Sequence, residues 1–291
     1  MAVVIYWVLS PAEVWAWGPA THVRLAHEVL STLSLLPAGV GGLLSRYAVD
    51  YIFGNIAADV VFAKKRSRIK QVCHQWRTGF ELLREAPTDK TRAFAYGYLS
   101  HLAADTVAHN KFIPRQITVS TTMTTNFAHL YWELRADQAI EEKYWSELRR
   151  LVGRRFADHE SHIATKLTET LLPFSWNIRL FHRINDVSTR RSLRTTIIIA
   201  DRFSKVDLNP RLLGDYHDES IDRIHSVLEH GEDSAVLNED PNGNAALYQT
   251  RHDRRRYRHL VRAGYPKSAI LHELVLGHEP APQPRPSCPP L

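Results

Sequence analysis

Apolar residues recur along most of this chain at intervals of three and four, the period of an α-helix, and almost nowhere at the alternating interval of a strand. Val23, Leu25, Ala26, Val29, Leu30, Leu33 and Leu36 set this period first, with Thr21 placed to cap the run. Pro37 and the glycines Gly39, Gly41 and Gly42 interrupt it, and a short helix over residues 43–51 follows. A helix starting in CHQW (73–76) runs to Arg84, APTD (86–89) breaks it, and another helix covers 91–109. Residues 111–125 read as a polar, Thr-rich loop, in which ITVSTT (117–122) is the only strand-like stretch. Asn126 is placed to cap one long helix, FAHLYWELRADQAIEEKYWSELRRLV. Further helical runs are expected over 156–172, 188–204, 212–229 and 254–262, with a turn at DPNGNAAL (240–247). The pattern predicts an all-α fold, a multi-helix bundle forming one domain over 17–278. Residues 279–291, rich in proline, read as a disordered tail.

Within this pattern, LSHLAADTVAHNKFIP (99–114) stands out. His101, Asp105 and His109 recur every fourth residue, which places them on one face of a regular helix, while Leu99, Leu102, Ala103, Ala104, Val107 and Ala108 suit a core. Two readings fit this stretch alone: a buried helix presenting metal ligands to an inner cleft, or a core helix whose histidines find ordinary hydrogen-bond partners. His129 and Glu133 repeat the fourfold spacing on the next helix. Asp59 lies among Ile56, Ala57, Ala58, Val60, Val61 and Phe62, where a carboxylate needs a partner, whether a cap, an ion pair or a metal. His22 falls in the first turn of the first helix. His27, five residues on, faces away from it.

Composition adds bounds rather than answers. At 291 residues, 44% hydrophobic and 23% charged, the chain is an ordinary globular protein with enough length for a full core. Its net charge of +6 permits an anionic substrate, lipid surface or nucleic acid without requiring one. Much of that charge lies in RHDRRRYRHLVR (251–262), which reads as a solvated amphipathic helix, and KKRSRIK (64–70) reads as a solvated loop. Cys73 and Cys288 suggest no disulfide framework, and Cys73 reads as a small buried residue. The apolar run from Ala2 to Leu9 is too short to span a bilayer. With Val14-Trp15-Ala16 after it, the run looks like the end of a secretory signal lacking its basic region. Residues 1–16 are therefore expected to be a signal segment, and the protein to be exported, periplasmic or secreted.

Sixteen histidines are many for this length. Trp17, His22, Asp59, His74, His101, Asp105, His109, His129 and Glu133 give two helical ligand faces and several ligands from separate segments, too many nitrogen and oxygen donors for one tetrahedral zinc. Such a cluster suits hydrolysis assisted by several metals. The order WGxxxH, D, H, HxxxDxxxH, HxxxE resembles the zinc-dependent phospholipase C and S1/P1 nuclease superfamily, strongly over residues 17–137 and beyond them only in helical character. That resemblance implies an all-helical fold with three zinc ions. It implies one zinc on Asp59, His74, His101 and Asp105, and a second on His109, His129 and Glu133. The third would take His22, a bridging Asp105, and the amine and carbonyl oxygen of Trp17, which requires cleavage after Ala16. It also implies that Asp59 orients or deprotonates the attacking water.

One departure bears on substrate. The bacterial phospholipases C and the S1/P1 nucleases usually place five residues between the second aspartate and the following histidine; here three separate Asp105 from His109. This spacing is closer to the catalytic domain of glycosylphosphatidylinositol-specific phospholipase D. The expected function is therefore phospholipase C-like cleavage of phospholipid headgroups. The partners implied are a phospholipid or other phosphodiester substrate and a transient membrane-surface contact; the protein is expected to be a monomer, with no nucleic acid or protein partner indicated. Two other classes stay open: a single-strand nuclease or 3′-nucleotidase, with Trp76, Tyr131 and Trp132 as stacking residues, and a non-catalytic zinc-stabilised binding protein. His217-Asp218, an HD dipeptide with Asp222 nearby, lacks the upstream histidines an HD phosphohydrolase needs, and the remaining histidines read as structural.

Overall fold

One helix runs through the centre of the molecule with protein on every side. In the computed structural model, α5 spans Asp89–Val107, and every residue from Gly97 to Val107 is buried. The structure describes residues 17–59, 73–166 and 206–276. The expected signal segment, the basic loop at 64–70, the helical run at 188–204 and the proline-rich tail lie outside these. A capping box starts α5: Thr88 Oγ1 accepts from the Thr91 amide (3.2 Å), and Thr91 Oγ1 accepts from the Thr88 amide (3.0 Å).

Preceding α5 in the chain are α1 (Pro19–Ser31), α2 (Ala38–Arg46), α3 (Ala48–Ala57) and α4 (Trp76–Arg84). After it come a π turn (Ala108–Phe112), α6 (Ile113–Val119), α7 (Thr125–Gln138), α8 (Glu142–Gly153) and α9 (Ala157–Lys166). The last stretch contributes α10 (Pro210–His230), α11 (Asn244–Arg262) and α12 (Lys267–Leu276). Helices α3, α4 and α10 pack directly on α5, and α1 touches both α3 and α10. One main core cluster extends from Trp17 to Leu228, and a small second one joins Tyr257, Ile270 and Leu274. Among the described residues there is no strand.

The closest helix contact is between α3 and α5. A Cβ on Gly54 would lie 2.1 Å from the Phe94 carbonyl oxygen, and one on Gly97 would lie 2.0 Å from the Tyr51 carbonyl oxygen. Only a residue without a side chain fits at either position. The backbones consequently approach closely enough for α3 to reach the polar face of α5.

The all-α expectation holds, but several boundaries move. Gly18, not Thr21, is the N-cap of α1, and Pro19 starts the helix, so Thr21 is internal. Gly39, Gly41 and Gly42 do not break the chain; they belong to α2, where a Cβ on Gly41 would meet the Leu33 carbonyl oxygen at 2.8 Å. The expected loop at 111–125 is largely helical, and its strand-like stretch is the end of α6, because burying Ile113 and Ile117 four residues apart outweighs the β propensity of the threonines. Thr124, not Asn126, caps α7 by accepting from the Phe127 amide. The long helix expected after it is two helices, α7 and α8, with buried Ile140 at the bend. Helix α11 begins ten residues before the expected 254, and α12 was not foreseen.

Replacing Gly97 with alanine forces a methyl group into a backbone carbonyl and should lower unfolding free energy by about 3 kcal/mol. Chemical denaturation of the variant checks this; a loss no larger than that of an exposed Gly39→Ala change would refute the close-approach account.

Candidate metal centre

Five of the nine singled-out residues, His22, Asp59, His74, His101 and Asp105, converge on the middle of α5. His101 and Asp105 lie one turn apart on it, fully buried. His22 arrives from the first turn of α1 and stacks on His101, with ring centroids 4.0 Å apart. Asp59 follows the end of α3, and His74 precedes α4. Trp17 lies just before α1, its indole stacked on Phe112 of the π turn at 4.9 Å and donating to Ser220 Oγ on α10 at 3.2 Å.

Two groups of ligand atoms result: His22, His101 and Asp105, and Asp59, His74 and His101. Asp105 faces both ways. Its Oδ1 is 3.2 Å from His22 Nε2, while its Oδ2 is 3.2 Å from His101 Nε2 and 3.7 Å from His74 Nε2. Asp59 Oδ1 is 3.3 Å from His74 Nε2 and 3.7 Å from His101 Nε2, and the two imidazole nitrogens are 3.2 Å apart. Nitrogen and oxygen donors on one tetrahedral zinc are separated by about 3.3 Å, since each is about 2.0 Å from the ion. The atoms therefore stand at the spacing of a coordination polyhedron.

The electrostatics agree. Among the described residues, no hydrogen-bond donor other than these imidazoles reaches the four carboxylate oxygens of Asp59 and Asp105. Burial alone would depress the His101 pKa, but Asp105 and Asp59 overcome it and raise it to about 9. Burial opposes ionisation of Asp105 as well, yet His101 and His22 hold it well below the usual carboxylate range, and His101 and His74 likewise lower Asp59. His22 is kept neutral by burial and by its cationic neighbour. Two buried carboxylates that face only imidazoles are an arrangement that a cation can serve. The residues present thus fit zinc, which accepts mixed imidazole and carboxylate ligands.

His109 departs from the single-face expectation. It falls in the π turn that follows α5 and lies beside α7. Its ring is 5.6 Å from that of His129, edge to face, and Glu133 is buried one turn further along α7. These three do not close up as tightly as the other two groups. Asn110 stabilises the turn, its side-chain amide donating to the Thr106 carbonyl at 2.8 Å.

Three supporting features escaped sequence reasoning. The first is the Asn55 carbonyl, which accepts from His101 Nδ1 at 2.8 Å, fixing the tautomer and leaving Nε2 for the centre. A main-chain acceptor leaves no trace in sequence. The second is Asp137, which accepts from the Thr21 amide (2.7 Å), the Thr21 hydroxyl (2.9 Å) and the Ala20 amide (3.4 Å) and so caps α1 from α7. Burial pushes its pKa up to about 7 against these hydrogen bonds. Gly18 makes room for it, since a Cβ there would lie 2.3 Å from Asp137 Cγ. The continuing four-residue period His129, Glu133, Asp137 is the signal that could have found it. The third is the set of contacts made by the turn before α11, a turn that the sequence itself announces at 240–247. Asn242 donates to the His74 carbonyl (2.9 Å), Trp76 to the Glu239 carbonyl (2.9 Å) and Asn110 to the Asp240 carbonyl (3.0 Å). Gly243, at φ +58°, has its Cβ direction blocked 2.5 Å away by the His109 carbonyl oxygen.

Among the described residues, five further histidines have structural partners. His27 meets Glu147 at 2.5 Å, His159 meets Asp50 at 2.7 Å, His162 meets the Leu82 carbonyl at 2.8 Å and His225 meets the Thr32 hydroxyl at 3.0 Å. His217 accepts from Arg24 at 2.8 Å, and burial with that cation lowers its pKa to about 3, while Asp218 and Asp222 are exposed; the HD reading fails. Cys73 is buried, as expected.

A helical protein whose histidines and aspartates form two ligand groups that share the buried His101 imidazole, with the Asp105 carboxylate facing both, has the donor set of a metalloprotein. The family model described as zinc dependent phospholipase C matches residues 21–173. The chain belongs to that family. No curated protein and no solved structure matches it.

Asp137→Ala removes the acceptor that caps α1 and should cost about 1–2 kcal/mol in denaturant unfolding. Asp137→Asn keeps one oxygen for the Thr21 amide and should cost less. Equal losses in the two variants would show that charge, not the hydrogen bonds, fastens α1 to α7.

Proposed function

We propose that the protein is an exported phospholipase C that hydrolyses phospholipid headgroups using three zinc ions. On this reading Asp59, His74, His101 and Asp105 hold the first zinc, and His109, His129 and Glu133 the second. His22, Asp105 and the amine and carbonyl oxygen of Trp17 hold the third, after cleavage following Ala16. The observation that carries the reading is the two-sided Asp105 carboxylate, buried between His22 and the His74–His101 pair in a member of this family.

Bound zinc would supply Lewis acidity toward a phosphoryl oxygen and a lowered pKa for water. The chain's own residues do the rest. Asp59 orients the attacking water and takes its proton, the water oxygen joins phosphorus, and the bond from phosphorus to the glycerol oxygen opens, that oxygen receiving a proton. Asn55, through His101 Nδ1, keeps the imidazole from rotating during this exchange. Family membership supports phospholipid hydrolysis at the coarser level. Two of the three stacking residues of the nuclease alternative, Tyr131 and Trp132, are buried, and Trp132 Nε1 donates to Ser120 Oγ at 2.6 Å, while Trp76 is half-buried. No helix among the described residues is long and apolar enough to cross a membrane.

Purified protein should release phosphocholine from phosphatidylcholine, lose that activity to a chelator and regain it with zinc. Asp59→Asn should lower turnover by about 10²–10⁴-fold with the fold intact by circular dichroism. Full activity in that variant would remove Asp59 as the base, and zinc binding without turnover on any phospholipid would leave a binding protein. Metal analysis on protein of sequenced N-terminus should give three zincs with Trp17 first; two zincs on such protein would refute the Trp17 site.

A further inference from the structure

Helix α11 contains six arginines and one aspartate. The aspartate, Asp253, is buried and accepts from Gln249 at 3.3 Å, so it does not neutralise the outer surface. One arginine, Arg254, is also buried and serves the fold, donating to the Ser120 carbonyl at 2.7 Å and to the Thr125 hydroxyl at 3.3 Å. The inward face is completed by Thr250 and Tyr257.

The outward face is different. At about 100° per residue, Tyr248, Arg251, His252, Arg255, His259 and Arg262 share an arc of about 100°. All are exposed, and none of Arg251, Arg255 and Arg262 joins an ion pair among the described residues. Elsewhere on the surface, Arg77, Arg84, Arg92 and Arg149 each pair with a carboxylate. Aromatic exposure coincides with the unpaired charge. Tyr248 is 64% exposed on this face and Tyr265, just past its end, is 58% exposed, among the most exposed large side chains described. Unpaired arginines beside Tyr248 on one side of a helix, with Tyr265 just beyond it, match the headgroup layer of an anionic membrane, where cations meet phosphates and amphipathic rings lodge between them.

The location gives this face a use. Gly243, the N-cap of α11, lies against the His109 backbone, so the helix starts at the edge of the candidate metal centre. We propose that the outer face of α11 docks the protein on anionic phospholipid surfaces, holding the centre at the headgroup layer. The choice of a lipid partner rests on the phospholipase reading; the charge and aromatic pattern do not.

Co-sedimentation tests the docking without turnover. Chelated, inactive full-length protein is mixed with phosphatidylcholine vesicles or with vesicles that also contain phosphatidylglycerol. Binding is expected only to the second, weakening as salt rises. The triple variant R251E/R255E/R262E should weaken it on the order of a hundredfold or more. The metal-loaded variant should hydrolyse monomeric short-chain phosphatidylcholine normally and lose at least tenfold on anionic vesicles. If the charge reversals disturb folding, the same positions changed to Gln carry the test, with Tyr248→Ser as an independent probe of ring insertion. Unaltered vesicle binding in a folded variant, or equal binding to both vesicle types, overturns the proposal. So does single-stranded DNA binding that the variant loses while vesicle binding is absent. Inactivity on short-chain lipid with anionic vesicle binding intact would instead overturn the phospholipase reading and leave the docking face standing.

Discussion

The contact between Gly54 and Gly97 is the constraint on which the rest of the structure depends. With no Cβ on either residue, α3 and α5 approach to backbone contact, at a spacing that any side chain would prevent. One residue beyond Gly54, the Asn55 carbonyl then reaches His101 Nδ1, and four residues further Asp59 arrives opposite His101 and His74. Moving α3 outward by the thickness of a methyl group would break that hydrogen bond and separate the ligand atoms. The packing of two helices and the chemistry of the centre are therefore set by one interaction.

Around that contact, polar groups are buried at a density that would be costly in an ordinary core. Asp59, Asp105, His22 and His101 all lie inside, and the two carboxylates face imidazoles rather than water. A chain that carries such groups gains from a bound cation what it loses by desolvating them. The neighbouring elements hold the ligands in place from outside. Asp137 fastens the start of α1, and with it His22, to the helix that carries His129 and Glu133. The turn at Asp240–Gly243 clasps the backbones of His74 and His109. The C-terminal half thus braces the centre, although it contributes none of the ligand atoms in the two groups.

Much of the site was legible because helical spacing is a local property. His101 with Asp105, and His129 with Glu133, announce themselves by a four-residue period that needs no knowledge of the fold. His22, Asp59 and His74 could be connected to them only through the order of motifs shared with a family. The Asp105–His109 spacing suggests one face of a straight helix, yet His109 lies in a π turn with its ring beside that of His129. The loop and strand expected at 111–125 failed for a related reason: burial of Ile113 and Ile117 overrides the preferences of the residues between them.

By itself, then, the sequence determined the helical class, the ligand types and the positions of the pairs that share a helix face, because periodicity and chemistry belong to the chain. The tertiary structure alone decided which segments meet: that Asp105 faces His22 on one side and His74 and His101 on the other, that a main-chain carbonyl orients His101, and that Asp137 caps a helix 116 residues away. These depend on glycine contacts and buried hydrogen bonds between distant segments, whose partners are chosen by three-dimensional packing and have no fixed separation along the chain.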